Sequence, residues 1–135
     1  MKNLFKHELT IDKRQTLIDI TNYVRKDIQE SKIQDGIVLV YCPHTTAGIT
    51  INENADPDVV KDLIYGFEKV FNTTDPNYRH FEGNSHAHLK SSTVSASQSL
   101  ILSEGQLILG TWQDIYFCEF DGPRHRTFYV KILEG

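Results

Sequence analysis

Leu4 to Ile11, apolar at both ends around a charged middle, reads as an edge-type strand. Beyond Asp19, which is placed to cap a helix, Ile20, Tyr23, Val24 and Ile28 recur three or four apart and predict a helix with one buried face. Asp35-Gly36 punctuates the chain, and the continuous apolar run Ile37 to Tyr41 predicts a central strand covered on both sides. A polar corner and a short strand, Gly48 to Ile51, follow. Asp56-Pro57 is a strong helix start, because Asp accepts from orphan amides and Pro at the first position loses no hydrogen bond. From there Val60, Leu63, Ile64, Phe67, Val70 and Phe71 trace one helical face, with the end expected near Asn72. Asn72 to Ser85 reads as a long polar connection, and a loop of that length in a compact domain suits a lid over a site. From Ser95 onward the pattern is strand: Gln98 to Leu102, Gln106 to Leu109, Gln113 to Phe120 and Thr127 to Leu133, with turns at Ser103-Glu104-Gly105 and Asp121-Gly122-Pro123.

Two main helices and at least six or seven strands define an α+β class, with an antiparallel or mixed sheet able to curl into a β-sandwich or barrel-like core. With 135 residues, 39% of them apolar, the chain is long enough to bury a core as one domain over residues 1–135. The formal net charge of −4 argues against a nucleic-acid partner, which needs a basic face to displace counterions. Arg124, His125 and Arg126 form a local exception, read either as an edge-strand solubility device or as an anion contact. The opening MKNLFKHELT interleaves charges with apolar residues, and no window approaches the roughly 20 apolar residues of a membrane span. A cytoplasmic protein is expected, in which Cys42 and Cys118 are buried free thiols rather than a disulfide.

Six histidines are the first chemical signal. His7 reads as an exposed strand residue, whereas His44, His80, His86, His88 and His125 fall at loops or strand ends. His86-Ala87-His88 puts two imidazoles on one side of an extended chain, where they share a metal ion, or on diverging sides of a helix. In Cys42-Pro43-His44-Thr45-Thr46, a polar trio follows a buried strand. Thr45 and Thr46 suit a phosphate or a metal-bound water, and His44 a ligand or general base. Glu53 is a carboxylate for orienting an imidazole or accepting a proton, or a support for the helix that follows. Trp112-Gln113 reads as a pocket wall with an amide, or as core. Arg124 and Arg126 alternate, so both face one anion or both face solvent.

Five ordered motifs carry a family resemblance: His44-Thr-Thr-Ala-Gly-Ile-Thr-Ile-Asn-Glu53, Glu82-Gly83, Ala87-His88-Leu89-Lys90-Ser91-Ser92, Gly110-Thr-Trp-Gln113 and Asp121-Gly-Pro-Arg-His-Arg126. Together they resemble the YjbQ-like family over nearly the whole chain. The resemblance implies an α+β sandwich or barrel, a homotrimer with polar sites near subunit boundaries, and a secondary thiamin-phosphate synthase activity. Its recurring polar positions fall on His44, Glu53, His80, His88, Lys90, Trp112, Gln113, Arg124 and Arg126, with His86 and His125 as extras. On the enzyme reading, His44, His80 and His88 hold a divalent metal with an open position, Glu53 orients a histidine or moves a proton, and Lys90, Arg124 or Arg126 steadies a phosphate. Three imidazoles suit zinc better than magnesium, which prefers oxygen, and zinc fits a hydrolase as well as a transferase. The alternative is a non-catalytic protein that binds a metal or a small phosphorylated metabolite at an oligomer boundary.

Overall fold

The computed structural model describes residues 2–135. In chain order the elements are β1 (Leu4–Ile11), β2 (Thr16–Asp19), α1 (Thr21–Ser31), β3 (Gly36–Tyr41), β4 (Ala47–Glu53), α2 (Pro57–Val70), α3 (Ser85–Val94), β5 (Ser97–Ser103), β6 (Gln106–Leu107), β7 (Gln113–Glu119) and β8 (Arg124–Glu134). The strands form a five-stranded sheet, β1-β8-β3-β5-β6, and a three-stranded sheet, β2-β7-β4. Every pairing is antiparallel, and the two sheets curl about the core as a half-barrel.

Alternation decides which face each strand buries. In β8, Arg126, Phe128, Val130 and Ile132 point inward, and β3 contributes Val38 and Val40 to the same layer. Between the sheets these residues meet Ile49, Ile115 and Phe117, and α1 adds Val24 and Ile28. His7 belongs to this inner face too. It is no exposed strand residue: its Nε2 lies 2.6 Å from Asp27 Oδ2 on α1, and its ring lies against Tyr23 and Phe128.

The strand covered on both sides is β7, not β3. Ile115 and Phe117 face the main core, while Tyr116, Cys118 and Phe120 face a second cluster beneath Val60, Leu63, Ile64 and Phe67 of α2. β3 is central in its sheet as expected, yet Ile37 and Tyr41 keep 41% and 44% of their surface, with no element among the described residues covering that side. An apolar run reports burial on two faces only if an element exists to cover the second one.

α2 starts where the sequence places it: the Asp56 side chain accepts from the Asp58 amide, and Pro57 occupies the first turn. It ends at Val70, slightly earlier than Asn72. The long connection closes into a third helix, α3, that the apolar pattern does not announce. Its buried residues are His86, Ala87, Lys90 and Ser91, a helical stripe that is largely polar. α3 rests on β4 at Gly48, where a Cβ would stand 2.5 Å from Val94 Cγ2 and 2.7 Å from the Ser95 carbonyl. Only a glycine permits that approach, and it sets α3 beside the loop between β3 and β4.

Candidate functional site: a polar cavity at one end of the small sheet

The connection from β3 to β4, residues 42–46, is fastened from several directions. The Cys42 amide donates to the Ala96 carbonyl, and the Phe120 amide to the Thr46 carbonyl. Ser91 Oγ on α3 donates to the Thr45 carbonyl at 2.6 Å. Beneath the loop, Arg126 and Glu119 form a buried ion pair: Nε reaches Oε1 at 2.6 Å, Nη2 reaches Oε2 at 2.5 Å, and Nη2 also donates to Thr46 Oγ1 at 2.8 Å. The next residue, Thr127, donates its amide to His44 Nε2 at 2.9 Å. That bond fixes chemistry as well as position. A neutral imidazole accepting at Nε2 carries its proton on Nδ1, so the other ring nitrogen of His44 is a donor. Burial, and then the Arg126 charge, pull its pKa below the usual histidine value and favour this neutral form.

A cavity of about 480 Å³ opens against this loop, lined by His44, Thr45, Ala47, His88, Ser91 and Ser92 among others. On the far side of His88 lies a second cavity of about 580 Å³, lined by Tyr78, Arg79, His80 and Leu89. His88 is their shared wall. His80 stands edge-on to it, with ring centroids 5.5 Å apart and planes at 84°, and Glu82 Oε1 lies 3.5 Å from His80 Nε2.

The helical form of residues 85–94 resolves the histidine pair. Two residues on a helix are about 200° apart, so His86 and His88 diverge. His88 faces the cavities. His86 is buried, with Nδ1 2.8 Å from Lys90 Nζ, and burial followed by the Lys90 charge lowers its pKa. Lys90 is fully buried and turned away from the cavity; its Nζ donates to Glu68 Oε1 at 2.7 Å and Gln15 Oε1 at 3.1 Å. It ties α3 to α2.

The expected site residues thus part company. His44, Thr45, His80 and His88 line the two neighbouring cavities, and Thr46 bonds Arg126. Arg126 faces neither a bound ligand's anion nor solvent, since the Glu119 carboxylate and Thr46 occupy its guanidinium. Arg124 turns back on Asp121, donating to its carbonyl and carboxylate at 2.8 Å each. Glu53 sits six residues along β4 from Ala47, about 20 Å at strand rise. Gln113 pairs with Glu53 at that same far end, where its Oε1 accepts from the Gly110 amide. Trp112, 62% exposed, is neither core nor a wall of this cavity. His125 lies elsewhere, its Nδ1 2.9 Å from Thr10 Oγ1.

Among the described residues no three His, Cys, Asp or Glu side chains are disposed to hold one ion. His44 is unsuited in this tautomer, because its Nε2 lone pair is engaged and Nδ1 bears the proton. One chain therefore offers an ion the pair His80 and His88. Cys42 and Cys118 are free and buried; burial raises both thiols, Cys42 to about 11. No helix among the described residues is long and apolar enough to cross a membrane.

Curled antiparallel sheets with three helices, holding an imidazole- and hydroxyl-lined cavity at one end, define a small α+β half-barrel protein. The sequence profile described as "UPF0047 protein YjbQ-like" matches residues 6–135, and the chain belongs to that family. UPF0047 protein YugU of Bacillus subtilis is 58% identical over 126 residues, covering 93% of this chain and 96% of that protein. A UPF0047 protein of Methanocaldococcus jannaschii is 55% identical, covering 98% and 96%. The crystal structure of an uncharacterized YjbQ/UPF0047 family protein from Clostridium acetobutylicum superposes with a TM-score of 0.94 at 53% identity, over 96% of this chain and 99% of that one. A YbjQ-like protein of unknown function from Sulfolobus solfataricus gives 0.93 at 30% identity, over 98% and 96%.

Proposed function

We propose that the protein is a small cytoplasmic enzyme that binds a phosphorylated metabolite in the cavity between His44 and His88. The carrying observation is the pinned loop, which presents His44 as a neutral donor beside the Thr45 and Ser92 hydroxyls, with His88 opposite. Such a wall suits phosphate oxygens. The adjoining cavity offers Tyr78 and Leu89 to the apolar remainder of a ligand and Arg79 to a second charge. His88 is then the residue placed to hand a proton to a departing phosphate or pyrophosphate. In a thiamin-phosphate synthase, the ring nitrogen of a thiazole phosphate bonds to a pyrimidine-bearing carbon as the carbon–oxygen bond to pyrophosphate breaks. The protein supplies positioning and charge neutralisation. A phosphate-ester hydrolase needs the same pocket, and a binding protein without turnover would use it unchanged.

Calorimetry of chelator-treated protein with inorganic pyrophosphate tests the reading. His88→Ala and Thr45→Val are each expected to weaken binding about tenfold, one lost charge-assisted contact, without altering the circular dichroism spectrum. Native protein that binds neither pyrophosphate nor phosphate would refute it. A second reading, a zinc-like ion, is supported by the neighbouring rings of His80 and His88. Metal that copurifies with untagged protein and is lost in His80→Ala/His88→Ala would favour it.

A further inference from the structure

The connection from α2 to α3, residues 71–84, forms no regular element, yet it supplies Tyr78, Arg79 and His80 to the second cavity, opposite His88. Among the described residues, the side-chain bonds of its middle stay within it: Asp75 accepts from the Asn77 amide, and Glu82 Oε1 lies 3.5 Å from His80 Nε2. Its side-chain bonds to the body of the protein are at the two ends. At the far end Asn84 Nδ2 donates to Asp121 Oδ2 at 2.9 Å. At the near end Thr73 is held twice by Glu68, its amide donating to Oε2 at 2.5 Å and its hydroxyl to Oε1 at 2.8 Å. Glu68 stands on the last turns of a surface helix and is half-buried, so by itself it is free to turn into water.

Lys90 prevents that. Its buried Nζ donates to the same Glu68 Oε1 at 2.7 Å, and its other two hydrogens go to Gln15 Oε1 at 3.1 Å and His86 Nδ1 at 2.8 Å. An ammonium has three donors and no acceptor, so this set exhausts it. Accepting at Nδ1, neutral His86 carries its proton on Nε2, a buried N–H that has no partner among the described residues. A buried charge and an orphaned donor both cost stability, and an apolar side chain would join α3 to α2 without either. Joining the helices therefore does not account for a lysine here, whereas holding the Glu68 carboxylate at one point does. We infer that Lys90 is a positioning residue of the cavity: through Glu68 it anchors Thr73, and so sets Arg79 and His80 against His88. Two residues apart on α3, His88 and Lys90 diverge by about 200°, so one turn of helix presents an imidazole to the cavity and fastens the opposite wall from behind. The inference rests on the cavity being the functional site.

Two readouts test it on the full chain. Trypsin cuts after Arg79 only when the connection leaves its seat, so the rate of that cut, followed by mass spectrometry, reports the anchor. Thr73→Ala removes one bond to a charged acceptor and is expected to speed the cut about tenfold, Lys90→Met at least as much, while Thr73→Ser keeps the hydroxyl and the native rate. If Lys90→Met does not fold, Glu68→Gln is read in its place, since its amide nitrogen cannot accept from Thr73. Calorimetry is the second readout. Pyrophosphate, long enough to reach Arg79, is expected to bind about tenfold more weakly to Thr73→Ala and to recover in Thr73→Ser, whereas inorganic phosphate, seated at His44 and Thr45, keeps its affinity. A merely structural role would weaken both anions alike or neither, and either result would overturn the inference. Native cutting rates in Thr73→Ala and Lys90→Met would do the same, as would a Thr73→Ser variant no better than Thr73→Ala. The cutting rates are measured without any anion, so the anchor and the phosphate reading fail separately.

Discussion

Replacing Arg126 by Met removes the positive half of an ion pair in which Arg126 is 5% and Glu119 0% exposed. Methionine fills much of the space but leaves the Glu119 carboxylate without its two bonds to the guanidinium, and Thr46 without a donor. Breaking one side of such a pair costs about 3–5 kcal/mol, because the remaining charge stays desolvated. Against a domain stability of about 5–15 kcal/mol this is a large fraction, and at this chain length it corresponds to a melting temperature lower by roughly 10–20 °C. Urea unfolding followed by far-ultraviolet circular dichroism at pH 7 measures it. Adding Glu119→Gln neutralises the stranded charge while keeping an oxygen for the Asp121 amide, which bonds Glu119 Oε2 at 2.8 Å. The double variant is expected to regain most of the loss, to within about 1–2 kcal/mol of the native protein. A loss below about 1 kcal/mol in Arg126→Met, or a double variant as unstable as the sum of the singles, would refute the reasoning. Because Thr127 holds His44, pyrophosphate binding by the double variant should also fall even where its fold is restored.

Glu68 bonds Lys90 and Thr73, which hold its pKa down to about 2 even though burial alone pushes it the other way. A depressed acid stabilises the fold above its unfolded pKa and loses that contribution as pH falls through the folded value. The urea midpoint should therefore drop more steeply between about pH 4.5 and pH 2 in the native protein than in Glu68→Gln. His7→Ala strands the 5%-exposed Asp27 carboxylate and should cost about 1–3 kcal/mol, read from the same unfolding curves. Ellman's reagent should label neither Cys42 nor Cys118 in native protein within minutes and both once it is unfolded, since thiolate is scarce at thiols raised by burial.

What the sequence determined by itself was local. The Asp56-Pro57 helix start, the turns at Glu104-Gly105 and Gly122-Pro123, and the strand runs of β1 and β8 are each written in a few neighbouring residues, so they were legible without coordinates. His44 and Thr45 in one motif and His88 in another were legible as polar groups because each motif is a short contiguous run. α3 was not: its buried stripe is His86, Ala87, Lys90 and Ser91, and a helix that buries hydrogen-bonded polar groups has no hydrophobic period to find. Nor does strand alternation say which partner waits on either side. Only the tertiary structure decided that β7 is enclosed and β3 half bare, that Arg126 is spent on Glu119, and that Lys90 belongs to α2 rather than to a ligand. It also split the expected site between two ends of one sheet. Glu53 is six residues beyond Ala47, and a strand, being close to the most extended path a backbone takes, turns that short separation in sequence into about 20 Å in space.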